Sequence, residues 1–241
     1  MDERPGPPRA TGCLTCRNCG ETEWSSLDRE GLDLLNQVKV SNTYQPGQVI
    51  FYQGNPCLGL YCIESGAVAV RLTDPHGNSA IVRMACSGET LGYRAYFAGQ
   101  PYHASADALT ATRVCFIDRS AVRHLLDHNP MVGMAFLKRM AEDLEDAEEA
   151  KLHSMSLSVR ARVAHLLLVL KERFGTVGAD GRLVIELPLS RQDMAAMVGT
   201  RPETIARAVR SLEAQNVAHF TGRQVVVPDL DALLDLIEVQ V

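Results

Sequence analysis

Three cysteines fall within seven residues near the start of the chain, in Cys13-Leu14-Thr15-Cys16-Arg17-Asn18-Cys19. A tight loop with this spacing can turn thiolates onto one metal ion or one iron–sulfur cluster. Three ligands close neither site. A ferredoxin-like run would place its next cysteine where Glu23 stands, so a fourth ligand has to come from elsewhere in the fold. A second chemical signal lies in Leu189–Arg207. Ser190 is a natural N-cap with Asp193 three residues on, Ala195 is small where two helices must cross, Gly199 suits a turn needing positive φ, and Pro202 suits a first helical turn. Ile205, Val209 and Leu212 then form a buried stripe, leaving Arg201, Glu203, Thr204, Arg207 and Arg210 off it; these five, with Arg191 at the start of the first helix, are the candidate DNA contacts. On a recognition helix, arginine bridges guanine O6 and N7 and glutamate accepts from cytosine N4. By themselves, Glu203 and Arg207 also fit an ordinary i,i+4 surface pair.

Composition bounds the classes open to such a chain. With 241 residues, 46% hydrophobic and 22% charged, it has enough apolar surface for a packed core and is not globally disordered. The longest apolar stretch in a helical region, Leu166–Leu170, is far short of the ~18–20 residues of a membrane span. Residues 1–12 carry Pro5, Pro7 and Pro8 and no apolar run, which reads as a mobile arm and not a secretory signal. A cytoplasmic protein is expected, with its seven cysteines serving as thiols, metal ligands or redox groups and not as a disulfide scaffold. The net charge of −5 is uneven. Residues 1–150 carry 13 Lys+Arg against 19 Asp+Glu, residues 151–223 carry 11 against 6, and residues 224–241 carry 0 against 4. A basic block in an acidic chain fits a polyanionic partner, and equally fits charges scattered over solvated faces.

The elements that must position these residues follow from periodicity. A short helix is signalled by Ser26 as N-cap and by Leu27, Leu32, Leu34, Leu35 and Val38. From Tyr44 to Asp118 glycines recur between short β-rich runs at 49–52, 60–63, 67–72, 80–84 and 113–117, with a turn at His76-Gly77-Asn78, which predicts a sandwich or jelly roll. From Pro130 to Ser154 the period becomes helical. Met134, Leu137, Met140 or Ala141, Leu144 and Ala147 recur at three- and four-residue steps, Lys151 continues them, and Glu142, Asp143, Glu145, Asp146, Glu148 and Glu149 make an acidic side. The row suits either packing against the roll or a dimer seam. A helix at 158–174, a strand at 182–187, two helices at 191–198 and 202–216, a hairpin at 217–227 and a last helix at 229–239 complete the chain.

A glycine-spaced roll, a long heptad-like helix and a winged helix-turn-helix in that order resemble the CRP/FNR superfamily of bacterial transcription regulators. The resemblance covers roughly residues 25–230, and its most specific pieces are Gly88–Arg94, Arg191–Ala195 and Pro202–Arg207. It implies an α+β protein with an N-terminal arm carrying the cysteines (1–24), a β-roll or jelly-roll domain like those that bind cyclic nucleotides (25–128), a long dimerisation helix (129–156) and a winged helix-turn-helix (157–241). It implies a non-enzymatic homodimer that binds a palindromic operator in double-stranded DNA and contacts RNA polymerase. Glu203 and Arg207 map onto the residues that read DNA in the family, while FNR-like members often carry serine where this chain has Ala206.

Cyclic-nucleotide members use a Gly-Glu pair for the ribose and an Arg-Ser or Arg-Thr pair for the phosphate. Here the matching stretches are Gly92-Tyr93 and His103-Ala104, so cyclic AMP is not expected. FNR-type oxygen sensors hold a [4Fe–4S] cluster with N-terminal cysteines and one from a late roll strand. Cys115 matches the latter by context, which makes Cys13, Cys16, Cys19 and Cys115 the ligand set the resemblance implies. The best-known pattern has a further cysteine near position 25, where this chain has Ser25. A structural zinc, thiol oxidation, haem on His76, His103 or Cys57, or another small ligand are the competing sensors. Cys57, Cys62 and Cys86 read as ordinary buried cysteines. A cupin-like roll enzyme would need clustered histidines and a carboxylate, and the roll offers only His76 and His103.

Overall fold

The computed structural model describes residues 12–13, 16, 22–178 and 181–238. Cys19 and the first eleven residues of the expected arm lie outside the described residues. Among those described, no helix is long and apolar enough to cross a membrane.

A 3-10 turn at Glu23–Ser26 leads into helix α1 (Arg29–Val38). Its N-cap is Asp28, whose carboxylate accepts from the Gly31 N–H at 2.8 Å. Ser26, the expected cap, falls inside the 3-10 turn. The carboxylate sits directly before the first helical residue and suits the positive end of the helix dipole.

Eight strands follow: β1 (Val40–Tyr44), β2 (Val49–Phe51), β3 (Gly59–Ser65), β4 (Ala67–Thr73), β5 (Ser79–Cys86), β6 (Thr90–Leu91), β7 (Ser105–Ala108) and β8 (Thr112–Asp118), with short helix α2 (Tyr93–Ala98) before β7. They form two four-stranded sheets in the orders β1-β8-β3-β6 and β2-β7-β4-β5. Phe51, Ile63, Val68, Ala85, Leu91, Tyr102 and Ala106, drawn from both sheets and their connections, make one buried core. The expected runs are all strands. β1 was not anticipated because it is a largely exposed edge of mostly polar residues, with no apolar alternation to announce it.

Helix α3 (Arg119–His128) was also unforeseen. The Asp118 carboxylate ends β8 and caps the helix, accepting from the N–H groups of Ser120 and Ala121. Helix α4 (Pro130–Ser156) runs 27 residues. A second core gathers Cys13, Trp24, Leu27, Leu35, Leu60, Tyr93, Ile117, Val122, Leu125, Val132 and Phe136. Phe136 of α4 lies edge-on to Trp24, with centroids 5.4 Å apart, and also meets Tyr93 and Phe97. Arg139, one turn on, donates to Glu89 at 2.5 Å, and Glu89 also accepts from the Cys86 N–H.

The remaining elements are α5 (Val159–Phe174), β9 (Gly175–Val177), β10 (Leu183–Glu186), α6 (Arg191–Val198), α7 (Pro202–Ala214), β11 (His219–Thr221), β12 (Gln224–Val227) and α8 (Leu230–Glu238). The strands pair as β11-β12-β10-β9. Val163, Leu166, Leu167 and Leu170 bury one side of α5, which packs against α6, α7 and α8. The chain separates into two units. One comprises residues up to Val70 and Met84–Ala141; the other comprises the Arg71–Arg83 hairpin and residues from Glu142 on.

Phe136 has no exposed surface, so Phe136→Ala leaves a cavity where the N-terminal segment, the roll and the long helix meet. We expect it to lower stability by about 3–5 kcal/mol in urea unfolding, the usual cost of truncating a buried phenylalanine. A loss below about 1 kcal/mol would mean that the junction is not tightly packed.

Candidate nucleic-acid interface and cysteine site

Local chemistry sets the geometry of α6 and α7. The Ser190 hydroxyl accepts from the Asp193 N–H, and the Asp193 carboxylate accepts in return from the Ser190 N–H, a complete capping box. Gly199 ends α6 at φ +71°, a conformation that a Cβ would strain, and the Arg162 guanidinium donates to the Val198 carbonyl at 2.7 Å. Pro202 starts α7 with its ring at the first turn. Ile205, Ala208, Val209 and Leu212 are buried. Glu203, Ala206, Arg207 and Arg210 occupy the opposite, exposed face, Arg201 is exposed at the N-cap, and Thr204 is half-buried.

No ion pair joins Glu203 to Arg207 among the described residues, so the surface-pair explanation of their spacing is not realised and both head groups remain open to solvent. Arg191 has a different surrounding. Its guanidinium lies over the Phe220 ring at 4.4 Å, tying α6 to the β11–β12 wing. At the wing turn Arg223 is exposed beside Gly222. Only the hairpin geometry puts it at a tip.

On α4, Met134, Leu137 and Leu144 are each more than half exposed, and Ala141, Ala147 and Lys151 are exposed with them. Met140 instead packs against the second core, so Ala141 is the member of that pair on the open row. Leu152 and Met155 extend the exposed apolar surface of the same helix. Of the six acids, Asp143 is buried and pairs with Arg83 at 3.3 Å; the other five are exposed.

Cys13, Cys16 and Cys115 line one cavity of about 30 Å³, together with Cys62, Trp24, Leu35, Ile63, Ile117, Lys39 and Glu64. The Cys13 N–H donates to the Asn36 side chain, and the Cys16 N–H reaches the Cys13 carbonyl at 3.4 Å. Cys62 on β3 pairs directly with Cys115 on β8, so the two side chains share a face. That register is why Cys62 joins the site, and the linear sequence carries no signal of it.

The Cys115 thiol is 3.5 Å from the Ser41 hydroxyl and 3.7 Å from Glu64. Burial pushes the thiols of Cys13, Cys62 and Cys115 above their usual range; Cys115 adds to the effect on Cys62, while Lys39 opposes it at Cys13 and Ser41 at Cys115. These are not the low-pKa surroundings of a reactive cysteine. All six described cysteines are free thiols. No three of them bring their sulfurs within 4.8 Å of one another.

At the positions matching the cyclic-nucleotide residues, Tyr93 is buried in the second core and His103 is exposed. The roll interior is occupied by stacked rings, with Phe51 and Tyr102 centroids 4.2 Å apart and the Tyr102 hydroxyl donating to the Gly59 carbonyl. His76 lies in the exposed β4–β5 turn, where its N–H donates to Asp74.

Comparison with known proteins agrees with this organisation. A cyclic nucleotide-binding domain model matches residues 41–129 and a Crp-like helix-turn-helix domain model matches residues 161–236. An anaerobic regulatory protein of Pasteurella multocida is 25% identical over 242 residues, covering 98% of this chain and 88% of that protein. The cAMP-activated global transcriptional regulator CRP of Salmonella typhimurium is 31% identical over 186 residues, 76% of this chain and 87% of its own. The structure of FixK2 from Bradyrhizobium japonicum superposes with a TM-score of 0.73 at 26% identity, covering 83% of this chain and 97% of that one. With close to a third of its aligned residues identical to CRP across most of that protein's length, the chain belongs to the CRP/FNR family of DNA-binding transcription regulators.

Proposed function

We propose that this regulator acts as a homodimer on a palindromic operator, in contact with RNA polymerase, and that it responds to oxygen or redox state through a [4Fe–4S] cluster on Cys13, Cys16, Cys19 and Cys115. The observation that carries the sensor reading is the convergence of Cys13, Cys16 and Cys115 on one largely apolar cavity. Soft thiols in an apolar shell are the donor set of an iron–sulfur centre. Such a centre supplies an oxygen-labile link between the residues that hold it. A space of about 30 Å³ is that of a water molecule or two, so loading a cluster has to spread the thiols. The anaerobic role in the Pasteurella relative's name favours the same signal. Cyclic AMP fits poorly, because Tyr93 is committed to the core and no arginine stands at His103 to neutralise a phosphate.

The protein's own residues carry the signal in this reading. Cys13 lies in the same buried core as Trp24 and Phe136, so a change in how the cysteines are held is felt at the start of α4. The open row of Met134, Leu137, Ala141, Leu144, Ala147 and Lys151 is the seam for a second copy. Five exposed acids on that helix weaken the pairing, which leaves the dimer sensitive to a small input. Dimerisation sets two α7 helices about 34 Å apart, one DNA turn. Glu203 and Arg207 then read base edges, with Thr204 beside them. Arg201, Arg210 and Arg223 reach phosphates, and Arg191 steadies the wing. The small cavity favours one second reading, a single structural zinc, although the sulfurs would have to close to meet bonds of about 2.3 Å.

Three measurements test this. Protein purified without oxygen should hold about four irons and four sulfides per chain, bleached by air, and should lose them in Cys16→Ser and Cys115→Ser; zinc alone would make the site structural. Leu144→Ala should weaken dimerisation and operator binding together, and unchanged sedimentation would remove the seam. Glu203→Ala should relax discrimination at one base pair by about 1–3 kcal/mol, read by competition among operators varied at each position; an equal loss on every variant would show that the carboxylate reads no base.

A further inference from the structure

Glu149 and His153 stand one turn apart on α4, and His165 meets them from α5, across the short break that Ser158 caps. One ligand atom from each of the three lies within 4.8 Å of the others. The His153 and His165 rings meet edge to face with centroids 4.5 Å apart, and His153 Nε2 is 3.7 Å from the Glu149 carboxylate. Both histidines are half-buried, so their rings are held, whereas Glu149 is exposed and able to swing. Neither the DNA-reading face, the apolar row nor the cysteine cavity uses either histidine, and Glu149 enters the dimer reading only as one of the exposed acids on the helix.

Two imidazoles and a carboxylate converging from two helices are a donor set for a first-row divalent ion, with water in the remaining positions. Bonds of about 2.0–2.2 Å require donors roughly 3 Å apart, so the three groups need to close by only about an ångström or two. A turn of the Glu149 side chain and small ring rotations achieve this. We propose that Glu149, His153 and His165 bind one divalent transition-metal ion of the zinc, cobalt or nickel class, and that the ion pins the end of α4 to the first half of α5. The ion would stiffen the one non-helical break between the long helix and the helix on which the DNA-binding elements pack.

Full-length protein stripped with chelator and kept free of oxygen is titrated with Co²⁺, and the wild type is compared with His153→Gln, His165→Gln and Glu149→Gln. Because cysteines also take cobalt, the readout is the visible d–d spectrum of a nitrogen–oxygen site, resolved from the near-ultraviolet sulfur-to-cobalt bands of a thiolate site. One equivalent with the former signature is expected, its affinity falling at least tenfold in each histidine variant. Zinc should raise the melting temperature of the wild type more than that of His153→Gln. His153 is on the open helix α4, and its variant serves if His165→Gln fails to fold by circular dichroism. Cobalt bound only with thiolate bands, or bound equally by the wild type and His153→Gln, would overturn the proposal.

Discussion

The burial of Phe136 is the constraint on which the roll half depends. Its ring has Trp24 on one edge and Tyr93 and Phe97 around it, bringing the N-terminal segment, the roll and the long helix to one point. Arg139 and Glu89 fix the next turn of the helix to the roll. Trp24 is held in turn by the Thr90 hydroxyl, which accepts from its indole N–H and donates to Glu23. An aromatic junction excludes water from the polar links beside it, and those links set its angle. The cysteine cavity shares Trp24 and Leu35 with this core, so its walls belong to a packed network.

The DNA-binding half rests on a different economy of contacts. Capping groups fix both ends of α6, Pro202 fixes the start of α7, and a buried stripe holds α7 down. With the helix positioned by those means, Glu203 and Arg207 need not bond to anything in the protein. Polar head groups that a folded protein leaves unpaired cost nothing in water and remain available to a partner. Arg191 shows the contrast: its planar cation lies on Phe220, where it serves the wing.

The two sites differ in how far they could be read in the sequence. The helix-turn-helix is local, every determinant lying within about twenty residues, and its cap, turn glycine and stripe all appear where periodicity put them. The cysteine site is not local. Cys62 enters it through a cross-strand pairing with Cys115, more than fifty residues away in the chain, and strand register is set by turns and by which face is buried. The same holds for Met140 and Ala141. Adjacent apolar residues on a helix are interchangeable in a periodic pattern, and only the roll's surface decides that Met140 turns inward. Ser26 gave way to Asp28 as a cap because the 3-10 turn consumed the earlier residue.

By itself the sequence determined the roll, the long helix and the helix-turn-helix in their order, their helical and strand periods, and the exposed face of the second helix of that motif, since these follow from interactions between residues a few positions apart. Tertiary structure alone decided which cysteines share a cavity, which acid of α4 is neutralised by Arg83, and which histidines meet across two helices. Each depends on the packing of elements distant in the chain. That packing is chosen by the total apolar area buried, a sum to which every residue contributes and which no short motif encodes.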